Sequence, residues 1–329
     1  MTRSLDALTD QLLKAAADAG ADAADAMAVQ GTSVSVDVRA GALEHAERSE
    51  GVDIGLRVFV GSRVANVSAS DISERTISEM AVRAVAMARE APEDAYAGLA
   101  DPEQLVQDWD VSVLELADPS PEPDAATLQD HARRAEAAAL EQDGISQVSQ
   151  TSAAYGARQV HIAASNGFAG GYARTDRGIS CVAIAGTGAG MERDYSGDGR
   201  IFQADLRSPE DIGREAAERA IARLNPRKPR TGTYPVLFDE RVSSTLIGHL
   251  LSAVNGAAIG RGSSWLLGAL GEKILPDALS LIEDPHRPRC AASRPFDAEG
   301  LPTTRRAIVD GGVLTGWTLD LATGRKLGM

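Results

Sequence analysis

The chain reads as an α+β protein: two helix–antiparallel meander–helix units followed by a β-rich C-terminal domain. Three observations predict this. Apolar residues fall at helical spacing over positions 5–16, switch to strict alternation over 33–38, and return to helical spacing over 73–90. The same order of helix, glycine-punctuated strands and helix recurs between 125 and 224. Two proline-bearing stretches separate the parts.

The first helix carries Leu5, Leu8, Leu12 and Ala16 on one face, with Ser4 placed to cap it and Gly20 to stop it. Ser33-Val34-Ser35-Val36-Asp37-Val38 alternates as a half-buried strand does, and Arg39-Ala40-Gly41 turns the chain. Positions 51–60 and 61–68 give two further strands joined at Gly61-Ser62. The helix from about Ser73 to Glu90 then presents Ile77, Met80, Ala81, Ala84, Val85 and Ala88, and Pro92 ends it. Pro102, Pro119, Pro121 and Pro123, with acids between them, mark a linker in which Asp110 to Leu116 is expected as a short strand.

A second helix-rich start, Ala125 to Gln142, precedes strands between Gly144 and Ala189. A helix opens at Ser208-Pro209-Glu210-Asp211, with proline in its first turn and acids at the positive end of the dipole, and runs to about Leu224. Pro226, Pro229 and Gly232 form the next break. A strand over 234–238, a helix from about Val242 to Ile259, a turn at Gly260–Ser264 and a hairpin around Gly311-Gly312 are expected beyond it. The resulting division is 1–100, an N-terminal α+β domain; 101–123, an acidic Pro-rich linker; 124–228, a central α+β domain; and 229–329, a C-terminal domain. The two units share an order of elements, but their residue identity is too faint to establish duplication.

Composition excludes several functions. A formal charge of −14 disfavours the basic footprint that phosphate neutralisation needs, and 4% aromatic residues leave little for base stacking. Cys181 and Cys290 form no CxxC and fit a reducing compartment. The N-terminal stretch has no unbroken apolar core because Asp6, Asp10 and Lys14 interrupt it, and no run of eighteen apolar residues occurs. A cytoplasmic location, no membrane association and no direct nucleic-acid binding are therefore expected.

The residues suggest little self-sufficient chemistry. His45, His131, His161, His249 and His286 lie too far apart in sequence for HxH, HExxH or HxxxH. His249, on an apolar helix, reads as a packed or interface histidine. Gly186-Thr187-Gly188-Ala189-Gly190 is not GxGxxG and reads as a loop needing positive φ. Cys181 sits in an apolar strand and reads as a small hydrophobe. Cys290 follows Arg287 and Arg289, whose charge would favour its thiolate, although an incidental role is the simpler reading. Glu192, Asp194, Asp198, Asp205 and the pair Glu283-Asp284 are acids in loops. Arg287, Arg289 and Arg294 are a local basic run suited to a carboxylate or an acidic surface.

Seven ordered strings go further: 51–71, 88–101, 216–239, Gly260–Leu266, Glu283–Pro288, Ser293–Gly300 and 312–329. Together they resemble the TldD/PmbA family, formerly called modulators of DNA gyrase, on its PmbA/TldE branch. The resemblance covers essentially the whole chain. It implies a cytosolic metallopeptidase system whose TldD-type member binds zinc through HExxxH on a helix, where two histidines ligate and the glutamate activates water. Anchored on Arg261-Gly262-Ser263-Ser264, the three motif positions fall here on Ile247, Gly248 and Ser252. If His249 is taken as the first histidine, Leu250 and Val254 stand at the other positions; if it is the second, Ser244 and Thr245 do. The expectation is therefore a non-catalytic subunit with no catalytic, cofactor-binding or metal residue of its own. Its expected partners are a TldD-like paralogue supplying zinc and an unfolded peptide substrate, with a homodimer as the other assembly. The competing expectation is a regulatory protein acting on gyrase or a toxin–antitoxin pair. The resemblance also implies that further strands follow position 329 in the family, so the chain is expected to be C-terminally truncated and its last domain incomplete.

Overall fold

The computed structural model describes residues 3–329. Helix α1 (Leu5–Asp18) buries the expected stripe of Leu5, Leu8, Leu12 and Ala16. Strands β1 (Ala23–Arg39), β2 (Ala42–Val60) and β3 (Arg63–Ala69) form an antiparallel meander, and α2 (Glu74–Glu90) follows. The Ser73 hydroxyl caps α2 by accepting the Thr76 N–H. The second unit repeats the order with α3 (Ala125–Leu140), β4 (Ile145–Ala164), β5 (Ala169–Ala185), β6 (Glu192–Arg200) and α4 (Pro209–Ala222). Asp124 and Ser208 cap the two helices in the same way.

All six strands belong to one antiparallel sheet in the order β3-β2-β1-β4-β5-β6. The seam between the units is β1 against β4, paired from Asp25↔Ala164 to Val38↔Thr151. Alternation assigns the faces. Ala24, Ala26, Ala28, Val34, Val36 and Val38 of β1 all point to one side. There α1 and α2 cover one end, over Ile54, Leu56 and Val58, while α3 packs on Val34, Val36 and Val38. Helices α3 and α4 cover Ile179, Cys181, Ala183 and Ala185 of β5. The pair packs closely because Gly213 of α4 has no side chain: a Cβ there would lie 2.0 Å from the Ala135 carbonyl oxygen.

The C-terminal part contains α5 (Glu240–Ala253), α6 (Gly256–Gly260), β7 (Leu281–Glu283), β8 (Arg306–Asp310), β9 (Val313–Leu314) and α7 (Leu321–Leu327). Its small core is Leu250, Val254, Ile259, Leu266, Ile308, Val309, Leu314 and Trp317. The expected hairpin is present, with Gly311 and Gly312 both at positive φ between β8 and β9.

Several boundaries differ from the sequence expectation. Strand β1 begins ten residues before position 33, because its first half uses Ala24, Ala26 and Ala28 instead of β-branched residues, and small side chains let α1 sit close. Strand β2 begins at Ala42, not 51. Its first ten residues are exposed on both faces and belong to a strand only through their ladder with β1. Positions 234–238 form no strand, and Leu237 is 98% exposed. Within 110–116 the structure has a 3₁₀ turn, Ser112–Leu114, rather than a strand; Leu114 and Leu116 are buried with Ile201. The helix expected over 242–259 is broken at Asn255, whose side chain caps α6. No described helix is long and apolar enough to cross a membrane.

Candidate functional site

The second face of the sheet has an open middle. Its rows run across β2, β1, β4 and β5 as Asp53–Val29–Val160–Tyr172, Gly51–Gly31–Arg158–Arg174 and Ser49–Ser33–Gly156–Asp176. One end is covered by residues 99–109 and by Phe296, which packs edge-on against Phe168 and Trp109. The uncovered middle is a trough of about 430 Å³. Glycines form its floor: a Cβ at Gly51 would meet nothing, and one at Gly31 would meet only a carbonyl oxygen at 3.7 Å. Ser33, Ser35 and Ser49 add hydroxyls, and Asp53 accepts a hydrogen bond from the Ser70 hydroxyl at 2.6 Å. Arg158 and Asp176 are exposed there, and neither side chain has a hydrogen-bonding or ion-pair partner among the described residues. A shallow, side-chain-poor floor with both signs of charge suits an extended polypeptide better than a compact cofactor. Gly31, Gly51, Gly156, Arg158 and Asp176 were not singled out from the sequence. The available signal was glycine inside runs of strand character, which marks close approach of another backbone.

The trough is flanked by a bare strand edge. Strand β3 pairs with β2 only from Ile54 to Val60, so Ala42–Asp53 pair on one side alone, with β1. The matching stretch of β5, Ala169–Asp176, lies beyond the reach of β6, and the linker meets it at Thr175 and packs Leu114 and Leu116 on Tyr172. There the Thr175 N–H donates to the Leu116 carbonyl (3.1 Å), the Asp118 N–H donates to the Thr175 hydroxyl (2.8 Å), and Arg177 holds Asp118 at 3.3 Å.

The residues singled out from sequence are dispersed. Asp194 is buried between Arg223 (2.6 Å) and Arg241 (2.8 Å). Burial raises its pKa, but the Arg241 hydrogen bond, the Tyr195 N–H and Arg223 outweigh burial and hold the carboxyl at about 2. It is a clamp fastening the start of α5 to β6. Asp198 pairs with Arg200, and Asp205 pairs with Arg289. Glu283 binds Arg294 and Arg306, while Asp284 reaches Arg305. Glu192 begins β6 without an ion-pair partner among the described residues. Arg289 stacks on Phe202 with its guanidinium 3.9 Å from the ring centre and bonds Glu115 at 2.9 Å, so its charge is spent on a latch beside Cys290. Cys181 is fully buried, and burial pushes its thiol up to about 11. The Gly186–Gly190 loop contains positive φ at Gly186 and Gly188, as its reading as a turn requires.

The histidines do not converge. His45 faces Glu47 at 3.6 Å, the His161 ring contacts the Thr9 hydroxyl at 2.9 Å, and the His286 ring contacts the Thr303 hydroxyl at 3.0 Å. Burial lowers the pKa of His131 on α3. His249 is exposed on α5 beside Ile247 and Gly248. No group of three His, Cys, Asp or Glu among the described residues is placed to hold a metal ion. Isoleucine, glycine and serine at the three motif positions on α5 offer no imidazole or carboxylate, so these residues do not fit a zinc ion. Instead α5 presents Val242, Leu246, Ile247 and Leu251 to solvent, near Val236 and Trp265 in sequence, the last 71% exposed.

Three family models match in succession: PmbA/TldA metallopeptidase domain 1 over residues 24–88, the central domain over 118–224 and the C-terminal domain over 231–329. The chain is 36% identical over 314 residues to Metalloprotease PmbA of Escherichia coli O157:H7, which covers 94% of this chain and 68% of that protein. Among solved structures, a protein described as a modulator of DNA gyrase from Bacteroides thetaiotaomicron superposes with a TM-score of 0.92 at 26% identity, covering 98% of this chain and 74% of the other. TldE from Thermococcus kodakarensis shares the fold with a TM-score of 0.79 at 17% identity, covering 98% and 72%.

Proposed function

Because this chain belongs to the PmbA/TldD metallopeptidase family, we propose that it is a PmbA/TldE-type, non-catalytic subunit of a cytosolic two-component peptidase. A TldD-type paralogue carrying HExxxH supplies the zinc and the activated water. This chain helps enclose the reaction space and admits unfolded peptide. The observation that carries the reading is on α5, where Ile247, Gly248 and Ser252 stand at the metal-motif positions and the helix turns an apolar side outward. Exposed apolar residues on a helix are a mark of a surface that is covered in an assembly. The trough and open β2 edge support peptide handling, since both offer extended main chain a place to lie. The gyrase-directed alternative has no comparable structural support, and the charge of −14 opposes direct DNA contact.

The test is reconstitution. The chain and an HExxxH-bearing paralogue are purified separately and together, and zinc content and cleavage of an unfolded peptide are measured. Zinc confined to the paralogue, with cleavage only by the pair, is the expected result. Cleavage by this chain alone with stoichiometric zinc would overturn it.

A further inference from the structure

The two units treat the same edge position differently. By chain order β2 corresponds to β5 and β3 to β6, and in each unit the short third strand leaves half of the second strand unpaired. In the second unit the linker closes that gap at Thr175, whose N–H donates to the Leu116 carbonyl and whose hydroxyl accepts the Asp118 N–H. One ion pair joins the two: Arg177 of β5 holds Asp118 of the linker at 3.3 Å. In the first unit the gap along Ala42–Asp53 is empty and the sign is reversed. Its carboxylates are Glu44, Glu47, Glu50 and Asp53; Glu44 pairs with Arg39, and Glu50 shares Arg48 with Glu122, which leaves Glu47 and Asp53 without an arginine partner among the described residues.

We propose that the open edge of β2 from Glu47 to Asp53 accepts a basic, extended polypeptide as an added strand, collinear with β3, with one long side chain passing over Gly51 and Gly31 into the trough. Main-chain hydrogen bonds supply the attraction, and alternate side chains supply the choice. Residues of the incoming strand on the trough face meet Glu47, Gly51 and Asp53, and those on the other face meet the Arg48–Glu50 ion pair and Val52. The bare pair Gly31↔Gly51 removes the side chains that would otherwise obstruct the entering one. Asp53 gives a lysine or arginine head a carboxylate at the β2 side of the trough and Asp176 another at the β5 side, while Arg158, next after Gly31 in the row, limits how far along that row a cation goes. Charged residues also guard exposed edges against aggregation. Guarding alone, however, does not require a glycine floor or a trough beside the edge. The proposal goes beyond the subunit reading and needs no zinc-bearing partner, so reconstitution of peptidase activity can fail without affecting it.

The test uses the full chain and three fluorescein-labelled dodecapeptides: alternating Lys-Val, alternating Glu-Val, and Lys-Val with every second amide N-methylated. Fluorescence anisotropy is expected to show binding of the first, with more than tenfold weaker binding of the other two. Gly51→Val, which leaves the fold intact because nothing occupies that space, is expected to weaken the first probe severalfold. The double change Glu47→Lys with Glu50→Lys is expected to transfer preference to the Glu-Val peptide. Equal binding of the N-methylated probe, or indifference to the charge reversal, would overturn the proposal. So would concentration-dependent dimerisation abolished by the same double change, because the edge would then be occupied by a second copy.

Discussion

Asp194 shows how a residue that looks catalytic in sequence becomes structural in the fold. Its carboxylate lies between two arginines from different elements, which hold its pKa at about 2, well below the usual carboxylate range. A depressed folded-state pKa means the stabilisation is fully present above about pH 4 and is lost as pH falls through about 2. The stabilisation is on the order of 2 kcal/mol. Asp194→Asn should therefore lower stability at pH 7 by about 1–3 kcal/mol, and the difference from the parent should shrink below pH 3 in urea melts. The thiols give a second check. Cys181 is buried and its thiol held protonated, whereas Cys290 is partly exposed. A thiol reagent should titrate one group in the native chain and two in denaturant; two native equivalents would contradict the burial of Cys181. The packed role of Cys181 was legible in the sequence, but not the clamp at Asp194, whose partners lie 29 and 47 residues away.

At the scale of elements, α3 and α4 meet where Gly213 faces Ala135. Gly213→Ala should cost well over about 1 kcal/mol, because the clash is with backbone and cannot be relieved by a rotamer. An unchanged urea midpoint would show that the helices can separate freely. Helix α5 makes the opposite prediction. Leu246→Gln with Ile247→Gln should change the stability of the isolated chain by no more than about 0.5 kcal/mol, since both residues face solvent, yet should reduce recovery of the paralogue in co-purification. The helices were legible because their stripes and caps are local: Leu5, Leu8 and Leu12 in α1, Ser208 before α4. The strands were legible only in part. Val34, Val36 and Val38 alternate visibly, but Ala42–Glu50 has no apolar alternation, is exposed on both faces and is a strand only because β1 runs beside it. The reverse error occurred at 234–238, where Tyr-Pro-Val-Leu-Phe has the composition of a strand but pairs with nothing among the described residues.

For the whole molecule, the repeated order of elements resolves into two units sharing one sheet, a relation set by the β1–β4 seam and invisible to local pattern. The trough was likewise hidden, because Gly31, Gly51 and Gly156 come together only when four strands are in register. The family was readable from ordered strings along the chain, and so was the lack of metal donors at Ile247, Gly248 and Ser252. The division of labour inferred from those positions is the central claim. Its most direct test is peptide cleavage by this chain co-purified with a TldD-type paralogue in which the motif glutamate is changed to glutamine. The account predicts that the unaltered pair cleaves and that the altered pair, still assembled, loses activity at least a hundredfold, on the order expected for removing a general base. Undiminished cleavage by the altered pair would place the chemistry on this chain and contradict the account.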